Sequence, residues 1–236
     1  STKKDKHVIF HTVRRKKYLK FFSFFFTKVK CYSFSSGLHE TLLSYSIESR
    51  KMIFPNAFLF EGYVKLESND VVVESNNNLK ALIWGRAARD IDEEILSKLS
   101  RLDVDIFVVN PCQKLQNVAD RFGLNCIYCS DGCKLVSLLQ ECDFSLVPLS
   151  DNDISYFHNT CAASGVLITN IIFKLKSLVI GNVPSHVPDF KCNHIGLMIE
   201  RADFLANPKH FMEVLNNNHF SNDAFLSDYI NFKEIF

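Results

Sequence analysis

Short β-rich runs alternate with helix-patterned segments along most of this chain, and that alternation restricts the fold more than any other feature. In the second half the runs are Leu79–Trp84, Asp105–Val109, Cys126–Cys129, Asp143–Pro148 and Ser177–Ile180. Between them stand helix patterns at Asp90–Arg101 (Ile91, Ile95 and Leu99 on one face), Gln113–Phe122, Lys134–Glu141 and Gly165–Phe173. Strands that each lead into a helix predict βαβ units, hence a parallel sheet with right-handed crossovers. Such sheets bind ligands at the carboxyl ends of their strands. Function is therefore expected in Gly85–Asp90, Asn110–Cys112, Ser130–Cys133, Leu149–Gly165 and Gly181–Asp189.

The first half repeats the theme less cleanly. His7–Thr12 is β-rich, Arg14–Thr27 is a basic and aromatic helix pattern, and Val29–Ser35 alternates like a strand. Gly37–Ser46 has helical spacing of Leu38, Leu42 and Leu43, and Lys51–Phe54 leads into Pro55-Asn56. Residues 66–78, polar around three valines, read as a linker or an exposed hairpin.

With 236 residues, 47% of them apolar and 22% charged, the chain can bury a core. Disorder, collagen and a small disulfide scaffold are excluded. The net charge of +1 hides an asymmetry, because residues 1–32 carry ten Lys/Arg against the single acid Asp5. The remaining 204 residues hold 17 basic and 25 acidic side chains. A basic leader on an acidic body points to a surface partner rather than to a protein that coats nucleic acid. The apolar run Tyr18–Phe26 is too short to span a bilayer, and no signal-peptide pattern surrounds it, so a cytoplasmic protein is expected. Eight cysteines, mostly inside apolar segments, read as reduced core thiols.

The loops narrow the chemistry. Gly85 allows a sharp strand-to-helix turn, and Arg86 and Arg89 beyond it are placed to grip a diphosphate with help from helix amides. The alternative for these arginines is surface pairing with Asp90, Asp92 or Glu93. Ser164-Gly165 opens a helix with bared N–H groups beside a hydroxyl, a second place for an anion. Asp151 and Asp153 could meet a metal or a sugar hydroxyl, although a solvated loop is the simpler reading. Cys126, Cys129 and Cys133 form CxxCxxxC without a paired knuckle, and His158, His186 and His194 lack ligand spacing, so no metal site is expected. There is no GxGxxG, P-loop or GxSxG motif.

Taken in order, these segments resemble the GT-B glycosyltransferases, especially the nucleotide-sugar-dependent enzymes that build bacterial surface glycans. HVIFHT with His11, the basic stretch 14–20, CYSFSSG with Ser35 and Ser36, and IFPNA with Pro55 and Asn56 are similar to the family's amino-terminal domain. LIWGRAARD, LVSLLQECDFSLVP, SGVLITNIIFKLKSLVIGN and HIGLMIERADFLA are similar to successive parts of its second domain. The chain departs from the family in several places. Asp90 stands near the usual Lys after Gly-Arg, leaving Arg89 as a substitute. Ile171 falls where a ribose- or sugar-binding acid is common, with Thr169 and Asn170 beside it, and Lys176 and Ala57 replace family glycines.

The resemblance implies an α/β protein of GT-B type, with Rossmann-like parallel sheets flanked by helices. It divides the chain into a partial acceptor-side domain (1–62), a linker or hairpin (63–78), a nucleotide-sugar domain (79–221) and a C-terminal helix (222–236) that packs back on the first domain. As the chain lacks an initiator Met, an amino-terminal part is expected to precede it. The implied activity is metal-independent sugar transfer from a nucleotide-sugar donor to a glycan or glycolipid acceptor in cell-surface polysaccharide synthesis, with no cofactor beyond the donor. His11, Arg86 and Arg89 are the catalytic candidates. Gly85, Arg86, Arg89, Ser164, Gly165, Thr169 and Asn170 are the donor-binding candidates. The rival readings are a catalytically degenerate scaffold module and a UDP-sugar epimerase, for which no acid–base carboxylates can be identified.

The leader then gains a reading. If Arg14–Thr27 is helical, its lysines and phenylalanines could rest on an anionic membrane as a peripheral contact, the alternative being phenylalanines in the core and lysines in water. Phe21, Phe22, Phe24, Phe25 and Phe26 together cover too much circumference for one helix face.

Overall fold

The computed structural model describes residues 6–13, 16–53, 78–88, 92–130, 132–160, 162–191, 195–217, 220 and 230–231, which form two parallel sheets. The first is built from β1 (His7–Phe10), α1 (Lys16–Phe26), β2 (Lys30–Ser33), α2 (Ser36–Ser44) and β3 (Ser49–Ile53). His7 pairs with Lys30 and Cys31 with Ser49, so each helix is a crossover between neighbouring parallel strands. Ser35 caps α2 from an extended backbone, its Oγ accepting the Leu38 amide at 3.4 Å. Leu19 of α1 and Leu38 and Leu42 of α2 meet Val13, Cys31 and Ile47 in one small core.

The second sheet begins with β4 (Leu79–Ile83), a 3-10 turn (Gly85–Ala88), α3 (Glu93–Leu99), β5 (Val104–Val109), α4 (Gln113–Phe122) and β6 (Asn125–Ile127). It continues through α5 (Gly132–Glu141), β7 (Phe144–Pro148), α6 (Asp151–Thr160), α7 (Gly165–Ile172) and β8 (Lys176–Ile180). After a 3-10 turn (Pro184–His186) come α8 (Val187–Lys191), β9 (Gly196–Ile199), α9 (Arg201–Ala206) and α10 (Pro208–Asn217). Strand order across the sheet is β6-β5-β4-β7-β8-β9. Along each strand the side chains alternate between two buried faces. Ala81, Ile83, Phe144, Leu146, Leu178 and Ile180 pack under α3, α4, α9 and α10. Leu82 and Trp84 pack with α5, and Val147 and Val179 with α6, α7 and α8. Burial on both sides explains why these strands read as nearly unbroken apolar runs.

The structure confirms the expected α/β, Rossmann-like arrangement of parallel sheets flanked by helices. Three stretches differ from the sequence reading. Leu149–Gly165, read as a loop, contains α6, which Ser150 caps: its Oγ accepts from the Asp153 amide and donates to Asp153 Oδ2. Asp153 is thereby buried in the first turn of α6 and bonded to the cap residue Ser150, while Asp151 is exposed. Gly181–Asp189, also read as a loop, winds into the second 3-10 turn and α8. In 222–236, expected as a helix, Ile230–Asn231 instead forms β10, which adds to the first sheet parallel to β3, while the rest lies outside the described residues. Pro55, Asn56 and the stretch 63–77 also lie outside them. Among the described residues no helix is long and apolar enough to cross a membrane.

Candidate functional site

In the second sheet the chain winds outward from the centre in both directions, so α3 leaves β4 toward one face and α7 follows β7 on the other. A crevice at the carboxyl ends of β4 and β7 results, the place where doubly wound sheets hold ligands. Gly85 lies just past the carboxyl end of β4. Its φ of +67° belongs to the left-handed region, and a Cβ there would lie 2.8 Å from Cγ2 of Val166. The turn after β4 is therefore pressed against the first turn of α7.

That first turn has the geometry expected of an anion site. Ser164 caps α7, its Oγ accepting the Leu167 amide at 3.5 Å and its carbonyl the Ile168 amide at 3.0 Å. Gly165 is exposed and faces open space, with nothing within 4 Å of a Cβ built on it. The amide end of a helix carries partial positive charge, and here it is bare of side chain.

The first sheet borders the same spot. Ala163 N donates to the carbonyl of His11 at 3.0 Å, and Val13 N and Thr12 Oγ1 donate to the carbonyl of Thr160 at 3.1 and 3.2 Å. The segment leaving β1 therefore runs beside the approach to α7, placing His11 next to its cap. The His11 ring is exposed and meets Phe34 edge-on, with centroids 5.9 Å apart. Desolvation holds its pKa below the ordinary value.

His186 and Asp189 lock this arrangement from beneath. His186 Nε2 accepts the Ser164 amide at 3.0 Å, so its ring proton sits on Nδ1 and is donated to Asp189 Oδ2 at 2.9 Å. Asp189 Oδ1 accepts the amide of Ser36, in the first turn of α2, at 3.2 Å. Gly37 lets α2 approach, since a Cβ there would lie 2.7 Å from the carbonyl oxygen of Ser185. Ser185 in turn donates to the carbonyl of Ala162 at 2.6 Å. A single buried chain of hydrogen bonds thus runs from α2 of one sheet to the cap of α7 in the other. From sequence His186 stands only as a possible metal ligand, although the His-x-x-Asp spacing within Gly181–Asp189 signals its pairing with Asp189.

Of the residues singled out from sequence, the structure gathers His11, Gly85, Ser164 and Gly165. Arg86 lies in the 3-10 turn after Gly85, and Arg89 is outside the described residues. Among the acids that offered these arginines a surface pairing, Asp92 bonds to Arg201 and Glu93 to Arg121. Thr169 and Asn170 do not face the crevice. Thr169 Oγ1 donates to the carbonyl of Gly165 at 2.8 Å. Asn170, fully buried, accepts from Trp84 Nε1 at 3.2 Å and donates to Ser177 Oγ at 3.0 Å. Residues 167–171 of α7 are buried without interruption, so polar groups among them must be satisfied inside the protein.

Farther along the same sheet edge, a cavity of about 280 Å³ opens between β8, β9 and α8, lined by Asn182, Phe190, Lys191 and Glu200 among others. Among the described residues no three His, Cys, Asp or Glu side chains gather as a metal site. Cys129 is buried and Cys126 and Cys133 are half-buried.

No protein family matches the chain as a sequence profile, and no curated protein matches it. Among solved structures it is similar to a glycosyltransferase from Rickettsia africae ESF-5, at 16% identity and a TM-score of 0.45. That similarity covers 97% of this chain and 69% of the other. It is also similar to a dipicolinate synthase polypeptide from Bacillus halodurans, at 11% identity and a TM-score of 0.34, over 85% of this chain and 66% of the other.

Proposed function

We propose that the protein transfers a sugar from a nucleotide-sugar donor to a glycan or lipid-linked acceptor. The observation that carries this reading is the meeting of Gly85 with the open amide end of α7, beside His11 from the other sheet. In such a transfer the bond between the anomeric carbon and the phosphate oxygen breaks, and a bond from the acceptor oxygen to that carbon forms. The departing diphosphate gains negative charge, which the amides at Gly165, with Arg86 and Arg89, are assigned to stabilise. The acceptor hydroxyl loses a proton, and His11, whose pKa is depressed, is assigned to take it. This division of labour also agrees with the GT-B resemblance of the segments.

A second reading, a binding module without transferase activity, is favoured by one observation. Thr169, Asn170 and Ile171 of α7 are all buried, so that turn offers the donor neither a carboxylate nor a ribose-binding group. Thermal-shift measurements against UDP-, GDP- and CMP-sugars, followed by product analysis with the sugar that binds, separate the readings. A ligand at 100 times its Kd should add about 2.7 kcal/mol of stability. Binding with transfer supports the enzyme; binding with neither transfer nor donor hydrolysis supports the module. No shift with any nucleotide sugar sinks the donor site altogether.

A further inference from the structure

We infer that α1 is a docking surface for an anionic lipid membrane. The helix has two faces of opposite fate. Leu19 is buried and Phe26 half-buried against the first sheet's core. On the opposite side Tyr18, Phe21, Phe24 and Phe25 are 44%, 74%, 68% and 62% exposed. At 3.6 residues per turn these four rings share about 120° of the helix circumference. They form one continuous aromatic face rather than scattered apolar residues, and soluble surfaces seldom keep such a face without a use.

Charge identifies the occupant. Lys20 is exposed beside the aromatic face, and Lys28, exposed just past the end of the helix, places its ammonium 5.9 Å from the centroid of Phe24. No acidic residue occurs anywhere between Lys6 and His39. An apolar face rimmed only by cations suits an interface of acyl chains beneath anionic headgroups, where a helix lies in the plane of the surface. A second copy of the chain fits poorly, because pairing this face with itself would oppose two basic rims. The eleven-residue helix is also too short to do more than lie on the bilayer.

The position of α1 links docking to the candidate site. Its first residue, Lys16, follows His11 by five residues, a reach of at most about 17 Å. A docked α1 therefore keeps His11 within about 17 Å of a helix lying on the bilayer, a placement that suits a lipid-linked acceptor. That consequence rests on the glycosyl-transfer reading; the docking does not.

The test is sedimentation of the full chain with vesicles of phosphatidylcholine alone or with about 30% phosphatidylglycerol. Binding to the anionic vesicles is expected to be at least tenfold tighter and to weaken as salt is raised. Replacing Phe21, Phe24 and Phe25 together by Ala should lower binding at least tenfold with the melting midpoint unchanged. The pair Lys20→Glu and Lys28→Glu, which leaves the aromatic face intact, should lose about tenfold or more of the anionic preference. Equal binding to neutral and anionic vesicles, unchanged binding by both variants, or a dimer that the Phe substitutions dissolve would overturn the proposal. The nucleotide-sugar thermal shift, run on the same variants, reports on the transfer reading independently.

Discussion

Nδ1 of His186 lies 2.9 Å from Oδ2 of Asp189, and both side chains are wholly buried. Each residue also serves a separate part of the fold, His186 the amide of Ser164 and Asp189 the amide of Ser36. The pair therefore sets the distance between the α7 cap, where an anion would bind, and α2 on the other sheet. A buried acidic group at the amide end of α2 is also favourably placed in that helix's dipole.

Replacing Asp189 tests whether this link is structural in the way its geometry implies. Asp189→Asn keeps the shape but not the pattern of acceptors. With its oxygen toward Ser36, the amide NH2 faces the Nδ1 proton of His186; turned over, it faces the Ser36 amide instead. One donor meets another in either orientation, so a loss of roughly 1–3 kcal/mol is expected, and somewhat more for Asp189→Ala. Urea unfolding reads the difference, and a change under about 0.5 kcal/mol would show that the pair contributes nothing special.

Two glycines at the crevice should respond in opposite ways. Gly165→Ala meets open space and replaces glycine within a helix, so stability should hold or rise by up to about 1 kcal/mol. The added methyl nonetheless covers the amides assigned to the diphosphate, and nucleotide-sugar binding should weaken about tenfold or more. Gly85→Ala forces a side chain into the left-handed region and against Val166, at a cost of roughly 1–2 kcal/mol before any ligand is present. Calorimetric titration on both variants separates the two effects. Unimpaired binding by Gly165→Ala would move the anion away from α7.

How far the sequence revealed this site depended on the range of the signal. The strands Leu79–Trp84 and Asp143–Pro148 and the cap Ser164-Gly165 announce themselves within a few neighbours, through apolar runs and cap chemistry. The Ser150 cap on the Asp153 amide is equally local, but reading that stretch for ligands hides its helix start. Asn170 illustrates a different limit. A polar residue on a helix after a strand looks available for ribose, yet residues 167–171 of that helix are buried without interruption, and only the fold brings Trp84 and Ser177 within reach of its amide. The partnership of Asp189 with Ser36 spans 153 residues, which no periodicity records.

His11 offers a reading of the site through pH. Partial desolvation depresses its pKa from 6.5 although the ring remains exposed, so the folded protein resists taking a proton that the unfolded chain accepts. The sign follows from linkage: the associated stability is fully present above pH 6.5 and is lost as pH falls toward the folded-state pKa, below which the curve flattens. Because the ring is exposed and screened by solvent, the slope in that window should fall well below the one-proton ceiling of about 1.4 kcal/mol per pH unit. His39 is depressed as well, chiefly by burial, so the His11→Gln variant should keep part of the slope and lose the rest. Urea midpoints between about pH 5 and 8 measure both. A diphosphate seated at Gly165 would place negative charge beside His11 and favour its protonated form. The His11 titration, followed by NMR, should therefore move to higher pH when a nucleoside diphosphate binds. A bound nucleotide that leaves the titration in place would separate His11 from the anion site, and with it the assignment of His11 as the base.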